Sequence, residues 1–380
     1  MTTLTETQSS VLRAIITWYA DPNRREFYLA GYAGTGKSTL LDVVINELRE
    51  RCGVRTVRTG TYTGKAAHVL RKKGVAGAQT IHSMIYRLIE DEETGQPRFE
   101  IDPAGAAADA DLIVLDECSM VPEVMADDLR SFGKKILVVG DPGQLPPVKG
   151  QGAFTNRRPD AFLTEIHRQA AESPIIQLAT RARCGDPIPL GDYGDGVRVV
   201  GYNADAGRYV YDPQAQPIVG LNRVRWVLTQ RVRSWLGFKA PLPQPGEPVL
   251  CCRNNKQNGI FNGQQGVLKA PLRDSLDGHG VKEIVAQMED QARPISTQCH
   301  PYLFNAHFSG DPSPPKLPKS IKVDHFDWGY VLTCHKSQGS QWPRVTVVDD
   351  SQAFRDDRNR WLYTAITRAE AELTLIRRAA

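Results

Sequence analysis

Cysteine is scarce and unpatterned in this chain of 380 residues. There are seven, with no Cys-x-x-Cys, and Cys251 and Cys252 are adjacent, where the alternating side chains of a strand point apart. Solvated or packed thiols in a reducing compartment are expected. The Cys299, His300 and His307 group lacks a fourth ligand at zinc-like spacing. No run reaches the ~18–20 consecutive apolar residues of a membrane span. The N-terminus, Met1-Thr2-Thr3-Leu4-Thr5-Glu6, lacks a basic stretch followed by an apolar one, so no secretory signal is expected. Net charge is also low: 47 Lys and Arg against 43 Asp and Glu leave +4, short of a strongly basic nucleic-acid binder. No short repeat is present. At 41% hydrophobic and 24% charged the composition excludes general disorder, and the length allows two or three domains.

The chain reads as α/β. Thr5-Glu6-Thr7-Gln8 opens a helix carrying Val11, Ile15 and Trp18 at helical spacing. A strand around Phe27–Leu29 leads into Gly31 and a helix from Lys37 to about Arg49, with another strand over Arg55–Thr59. The continuous apolar runs Leu112–Leu115 and Ile136–Val139 have the character of buried parallel strands. A second α/β pattern follows: strands at Val197–Val200 and Ile218–Leu221, a helix over Asn222–Leu236, and strands at Val345–Val348 and Leu373–Ile376. Pro241-Leu242-Pro243-Gln244-Pro245 marks a boundary, and the Gly- and Pro-punctuated stretch after it, to about Asp327, reads as a small β insertion.

Gly31-Tyr32-Ala33-Gly34-Thr35-Gly36-Lys37-Ser38 has the spacing of a phosphate-binding loop. Glycines let backbone N–H groups approach phosphate oxygens, and the following helix adds its positive end. Lys37 is placed to neutralise β/γ-phosphate charge and Ser38 to ligate Mg²⁺. Gly34, Thr35, Gly36 and Thr39 complete the expected nucleotide-binding set. Asp116-Glu117 ends a strand where the cleft of an open α/β sheet lies. Asp116 suits the Mg²⁺ ligand and Glu117 the polarising of the attacking water. At the next strand end, Gly140-Asp141-Pro142-Gly143-Gln144 offers Gln144 to sense the γ-phosphate or orient water. Each strand-end group also has a bland reading, as a tight or acidic turn.

These motifs, with others further on, resemble superfamily 1 helicases of the 5′-to-3′ class, in the RecD-like and Dda-like branch. The resemblance runs in order through Thr63-Gly64-Lys65-Ala66-Ala67, Thr80-Ile81-His82, Asp116–Met120, Gly140–Val148, Glu165-Ile166-His167-Arg168-Gln169, Asn262–Val267, Thr333–Gln341 and Tyr363–Ala369. It implies two RecA-like domains with ATP between them, over 1–158 for the first and 159–243 with 327–380 for the second. It also implies a small Src-homology-3-like β-barrel over 244–326. Arg168 and Arg368 match the phosphate-contacting arginines, Gln8 the adenine-reading glutamine, and Gln341 a nucleotide-contacting position. For Gln8 the Thr5-x-x-Gln8 capping box competes, and for Arg368 a solvated place near a helix end. The DNA contacts implied are Thr63, Lys65, Thr80 and His82 on the first domain and Thr333, His335 and Lys336 on the second; either histidine also suits a packed core. Tyr62 stands where relatives usually carry Pro, and either packs or stacks on a base.

The stretch between Glu90 and Asp111, within an expected insertion over about 88–110, stands where relatives carry a β-hairpin pin that splits the duplex. Thr94-Gly95-Gln96 reads as its turn, and Phe99 is the one large aromatic available to stack on the junction base pair. The resemblance thus implies an ATP- and Mg²⁺-dependent DNA translocase and helicase working on single-stranded and forked DNA. It is expected to act as a cytoplasmic monomer in a bacterial or phage-infected cell, alongside replication or recombination proteins. An RNA-directed helicase of the same superfamily, or a nucleic-acid-stimulated ATPase that remodels complexes without strand separation, stays open. The chain lacks the long N-terminal extension of some RecD-like proteins and more resembles the compact phage-type enzymes. The low net charge is an average: residues 90–111 hold eight acids and one base, the rest 46 bases and 35 acids. Such an excess suits phosphate tracking.

Overall fold

The computed structural model describes residues 4–90, 97–147, 152–166, 171–203, 207–255, 257–289 and 291–377. It divides into two compact units, Met1–Thr180 and Arg181–Ala380.

The first unit is built on a six-stranded parallel sheet in the order Gln79–Thr80, Val57–Thr61, Leu112–Asp116, Lys135–Gly140, Glu26–Gly31, Ala161–Leu163. Its central strands are apolar throughout because both faces are covered, successive side chains going to opposite sides. Ile113, Leu115, Ile136 and Val138 pack with Ile81, Met84, Ala126, Leu129 and Phe154 on one face. Leu112, Val114, Leu137 and Val139 pack with Val11, Ile15, Trp18, Leu40 and Leu48 on the other. The last strand, Ala161–Leu163, lies beyond the expected boundary at 158: Leu29, Ala30 and Gly31 register against it. A separate antiparallel hairpin joins Tyr86–Glu90 to Pro97–Ile101. The turn expected at Thr94-Gly95-Gln96 lies outside the described residues.

The second unit has a sheet in the order Leu332–Thr333, Gln216–Val219, Trp342–Val348, Ala369–Arg377, Val197–Gly201, Gly191–Gly194, parallel except at its last pair. The helix Asn222–Trp235 carries no acidic residue, and it buries Arg225 and Arg233 beside Leu228, Thr229 and Val232. The expected β insertion is an antiparallel sheet in the order Arg273–Asp274, Lys282–Met288, Gln265–Leu268, Pro248–Cys251, Phe326–Trp328, with Ile295–Cys299 added against Lys282–Met288. Its core gathers Val249, Cys251, Ile284, Met288, Phe304 and Trp328. Phe326–Trp328 spans the expected junction at 326/327 because it closes this sheet through Cys251↔Phe326 and Val249↔Trp328. Among the described residues no helix is long and apolar enough to cross a membrane.

Candidate nucleotide site and nucleic-acid track

In a parallel sheet the C-terminal strand ends share one edge, and loops there carry ligand contacts. In the first unit that edge aligns Gly31, Gly140 and Asp116, since Ala30 registers with Gly140 and the Lys135–Gly140 strand also pairs with Leu112–Asp116. The loop after Gly31 turns on Gly34 (φ +79°) and Gly36 (φ +75°), both in the left-handed region. A Cβ on Gly31 would come 2.8 Å from Thr35 Oγ1. Gly36 is the N-cap of the helix Lys37–Cys52 and supplies no side-chain cap, so the first-turn N–H groups suit an anion. Thr35 is buried and donates to the Tyr32 carbonyl at 2.8 Å. Lys37 Nζ donates to the Gly31 and Tyr32 carbonyls at 2.7 and 2.8 Å. Ser38 and Thr39 are exposed on the first helical turn.

Asp116 ends its strand and accepts from the Glu117 N–H at 2.9 Å. Glu117 sits at φ +52°, a left-handed conformation that a non-glycine residue rarely holds. Burial, and then the neighbouring Glu117 charge, push the Asp116 carboxyl up to about 6, against the opposing pull of the Glu117 N–H and Lys37. Two adjacent carboxylates, with Lys37 and Lys73 in electrostatic range of Asp116, offer oxygen donors of the kind a divalent cation takes. Gln144 is buried, and its Oε1 has no hydrogen-bond partner among the described residues. A buried amide oxygen without a partner is costly unless a ligand or water completes it.

Gln8 makes the capping box in full: Thr5 N–H donates to Gln8 Oε1 at 3.1 Å and Gln8 N–H to Thr5 Oγ1 at 3.2 Å. Its carbonyl is thus engaged in starting the helix Glu6–Ala20. Gln341 is exposed and donates to the Thr367 carbonyl at 3.2 Å. Arg368 is buried within the second unit, its guanidinium donating to the Thr364 and Ser340 carbonyls and to Thr367 Oγ1. Arg168 lies outside the described residues.

Three of the residues expected on a nucleic-acid track share one construction. Thr63, Thr80 and Thr333 each follow or end a strand and cap a helix, accepting from Ala66, Ser83 and Lys336 N–H respectively. A capping hydroxyl accepts from the backbone and keeps a proton to donate. Lys65 and Tyr62 are half-buried, Tyr62 packing against the core of the first unit. The His82 ring packs against Tyr86 at 4.8 Å and edge-on to Phe99 at 4.2 Å. His335 lies 5.9 Å from the Phe354 ring, and burial lowers its pKa. Phe99 is 57% exposed and registers opposite Leu88, itself 62% exposed. Partners in register share a face, so the hairpin presents an apolar pair where the sequence named Phe99 alone. At the base, Asp109 pairs with Arg58, and Asp111 accepts from the Arg55 and Thr56 N–H groups at 2.8 Å. Those two acids anchor the segment to the neighbouring strand.

Residues 3–203 match the family described as AAA domain, and residues 329–376 match the UvrD-like helicase C-terminal domain. The ATP-dependent RecD2 DNA helicase of Deinococcus radiodurans is 29% identical over 394 residues, covering 96% of this chain and 48% of that protein. A solved structure of Pif1 helicases on forked double-stranded DNA matches with a TM-score of 0.60 at 18% identity, covering all of this chain and 92% of that one. The chain belongs to the AAA domain family. A Bacteroides Pif1 structure with ADP-AlF3 and single-stranded DNA gives 0.57 at 17% identity, over 99% of this chain and 92% of that chain. The chain spans about half the length of the RecD2 protein and about a third of a conjugal transfer protein TraA from Sinorhizobium fredii that it also matches.

For a chain of this family, sequence reading missed a buried charged cluster in the second unit. Arg225 Nη2 meets Asp327 Oδ2 at 2.6 Å, His307 Nε2 meets Asp327 Oδ1 at 2.8 Å, and Lys336 Nζ stands 3.7 Å from Asp327 Oδ2. The helix Asn222–Trp235, with four arginines and no acid, held the one available signal.

Proposed function

We propose that this chain is an ATP-dependent translocase and helicase that moves 5′ to 3′ on single-stranded DNA. The observation that carries the reading is the single edge of the first sheet. It sets the glycine loop, the Asp116-Glu117 pair and the unpartnered Gln144 amide on neighbouring strands. In this reading the Gly34–Lys37 loop holds the phosphates, and Ser38 and Asp116 hold Mg²⁺. When bound, the ion would supply charge neutralisation to the phosphates. Glu117 polarises the attacking water and Gln144 orients it. Arg168 and Arg368 stabilise charge on the transferring phosphoryl group, and Gln8 and Gln341 contact the nucleotide.

The track follows the same reading. Thr63, Lys65, Thr80, His82, Thr333, His335 and Lys336 hold the phosphate backbone without reading bases, as a motor requires. The hairpin acts as the strand-separating pin, with Phe99 and Leu88 against the junction pair. Losing one stacking step costs ~1.4 kcal/mol, and a base–aromatic contact returns ~1–3 kcal/mol. The inserted antiparallel sheet takes the place of the family's Src-homology-3-like barrel. Steady-state ATPase with oligo(dT) or oligo(U), for the parent chain and Lys37→Ala, tests the assignment. The expected result is strong stimulation by oligo(dT), abolished in Lys37→Ala. Stimulation by oligo(U) alone overturns the DNA assignment, and hydrolysis that survives Lys37→Ala overturns the site.

A further inference from the structure

Lys336 has a surrounding that the DNA-gripping role alone does not explain. Its side chain is 37% exposed, while its Nζ lies 3.7 Å from Asp327 Oδ2 and 3.6 Å from Cys252 Sγ. Asp327 is 1% exposed and is fixed from three directions. Arg225 reaches it from the helix Asn222–Trp235 at 2.6 Å, His307 from the helix Tyr302–Ser309 at 2.8 Å, and the Trp328 N–H donates to Oδ1 at 2.8 Å. Arg225 and His307 are each 3% exposed. A carboxylate at this depth, opposite one buried guanidinium, is already paired. The ammonium of Lys336 is therefore an additional cation on the same oxygen.

We infer that Asp327 is the positioning residue of Lys336, holding its ammonium in place so that the remaining donor meets a phosphate. The inference rests on the reading of Lys336 as a DNA contact. A lysine stem is long and rotamer-rich, and a free one must be ordered by the ligand at the cost of affinity. A buried anion beneath the stem orders it beforehand. An ammonium has three donors; one goes to Cys252 Sγ and one faces Asp327, which leaves the third for a phosphate. The four groups come from positions 225, 307, 327 and 336, so the inserted segment contributes His307 to the seat of a motif residue.

Fluorescence anisotropy of a labelled oligo(dT) across a KCl series tests this with the parent chain, Lys336→Ala, Asp327→Asn and the double variant. Each single substitution is expected to weaken binding about 5- to 10-fold, roughly one phosphate contact, and to reduce the log–log salt slope by about 0.7. The double variant is expected to bind no more weakly than Lys336→Ala. A merely structural loss lowers the active fraction and leaves the slope unchanged. Arg225→Met with Asp327→Leu replaces the buried pair by apolar groups of similar volume, which commonly keeps the fold. It is expected to reproduce the slope of Asp327→Asn. An unchanged slope in both Asp327 variants, additive losses in the double variant, or tighter binding by Asp327→Asn overturns the positioning role. An unchanged slope in Lys336→Ala overturns the DNA contact itself.

Discussion

Single residues in this chain carry paired duties, and substitutions separate them. Thr63 caps the helix Gly64–Lys72 through its hydroxyl oxygen, and in the proposed function its proton goes to a phosphate. Thr63→Ser is expected to preserve both. Thr63→Val should lose about 1 kcal/mol of stability, the usual worth of such a cap, and also weaken oligo(dT) binding; chemical denaturation and anisotropy check the two separately. Glu117→Gln is expected to lower the ATPase kcat by roughly 10²–10⁴, the range of a lost general base, while nucleotide binding measured by calorimetry persists. The Asp327 cluster sets a pH dependence. Arg225, His307 and Lys336 hold the Asp327 carboxyl below the usual range, burial opposing them, while burial keeps His307 below its usual value. Both groups bind fewer protons folded than unfolded, so both contribute stability that is lost on acidification. The loss begins as pH falls through ~6.5 for the histidine and resumes below ~3.9 for the aspartate. Denaturation midpoints against pH should show both phases, and Asp327→Asn should shrink the lower one, which Asp109 and Asp111 also feed.

Elements differ in how far the sequence exposes them. The buried parallel strands are legible because both faces are apolar, and the glycine loop and Asp116-Glu117 are legible because they punctuate those strands. Most antiparallel strands between Pro248 and Trp328 have two to five residues, too few to carry a clear period-2 signal, and only Lys282–Met288 alternates in burial over seven residues. The Asp327 cluster was hidden for another reason: Arg225 lies 102 residues from its partner, and local periodicity carries no information on such a pair. Arg233 and Glu247 form a second buried pair at 2.6 Å, with the guanidinium 3.9 Å over Trp328. Glu247→Gln is expected to cost about 3–5 kcal/mol, as removal of one member of a buried pair does, read by denaturant unfolding. The hairpin shows what register adds to composition: Leu88 becomes visible only once it is paired with Phe99. Phe99→Ala with Leu88→Ala should leave DNA-stimulated hydrolysis intact while reducing base pairs opened per ATP. Unwinding at the parent rate would sink the pin assignment.

At the scale of the whole molecule, charge is unevenly spent. The net −7 of residues 90–111 offsets most of the +11 of the rest, and two of its acids, Asp109 and Asp111, stay exposed while tied to Arg58 and to the Arg55 and Thr56 N–H groups. The three capping threonines recur on both sheets, Thr63 and Thr80 on the first and Thr333 on the second. In the proposed function, these like strand-end devices of the two units grip the same sequence-neutral backbone, which alternating translocation requires. That claim is tested most directly by unwinding assays on paired forked duplexes that differ only in carrying a 5′ or a 3′ single-stranded tail, with and without ATP and Mg²⁺. Unwinding of the 5′-tailed substrate, dependent on ATP, is the result expected. Unwinding confined to the 3′-tailed substrate, or proceeding equally without ATP, would contradict it.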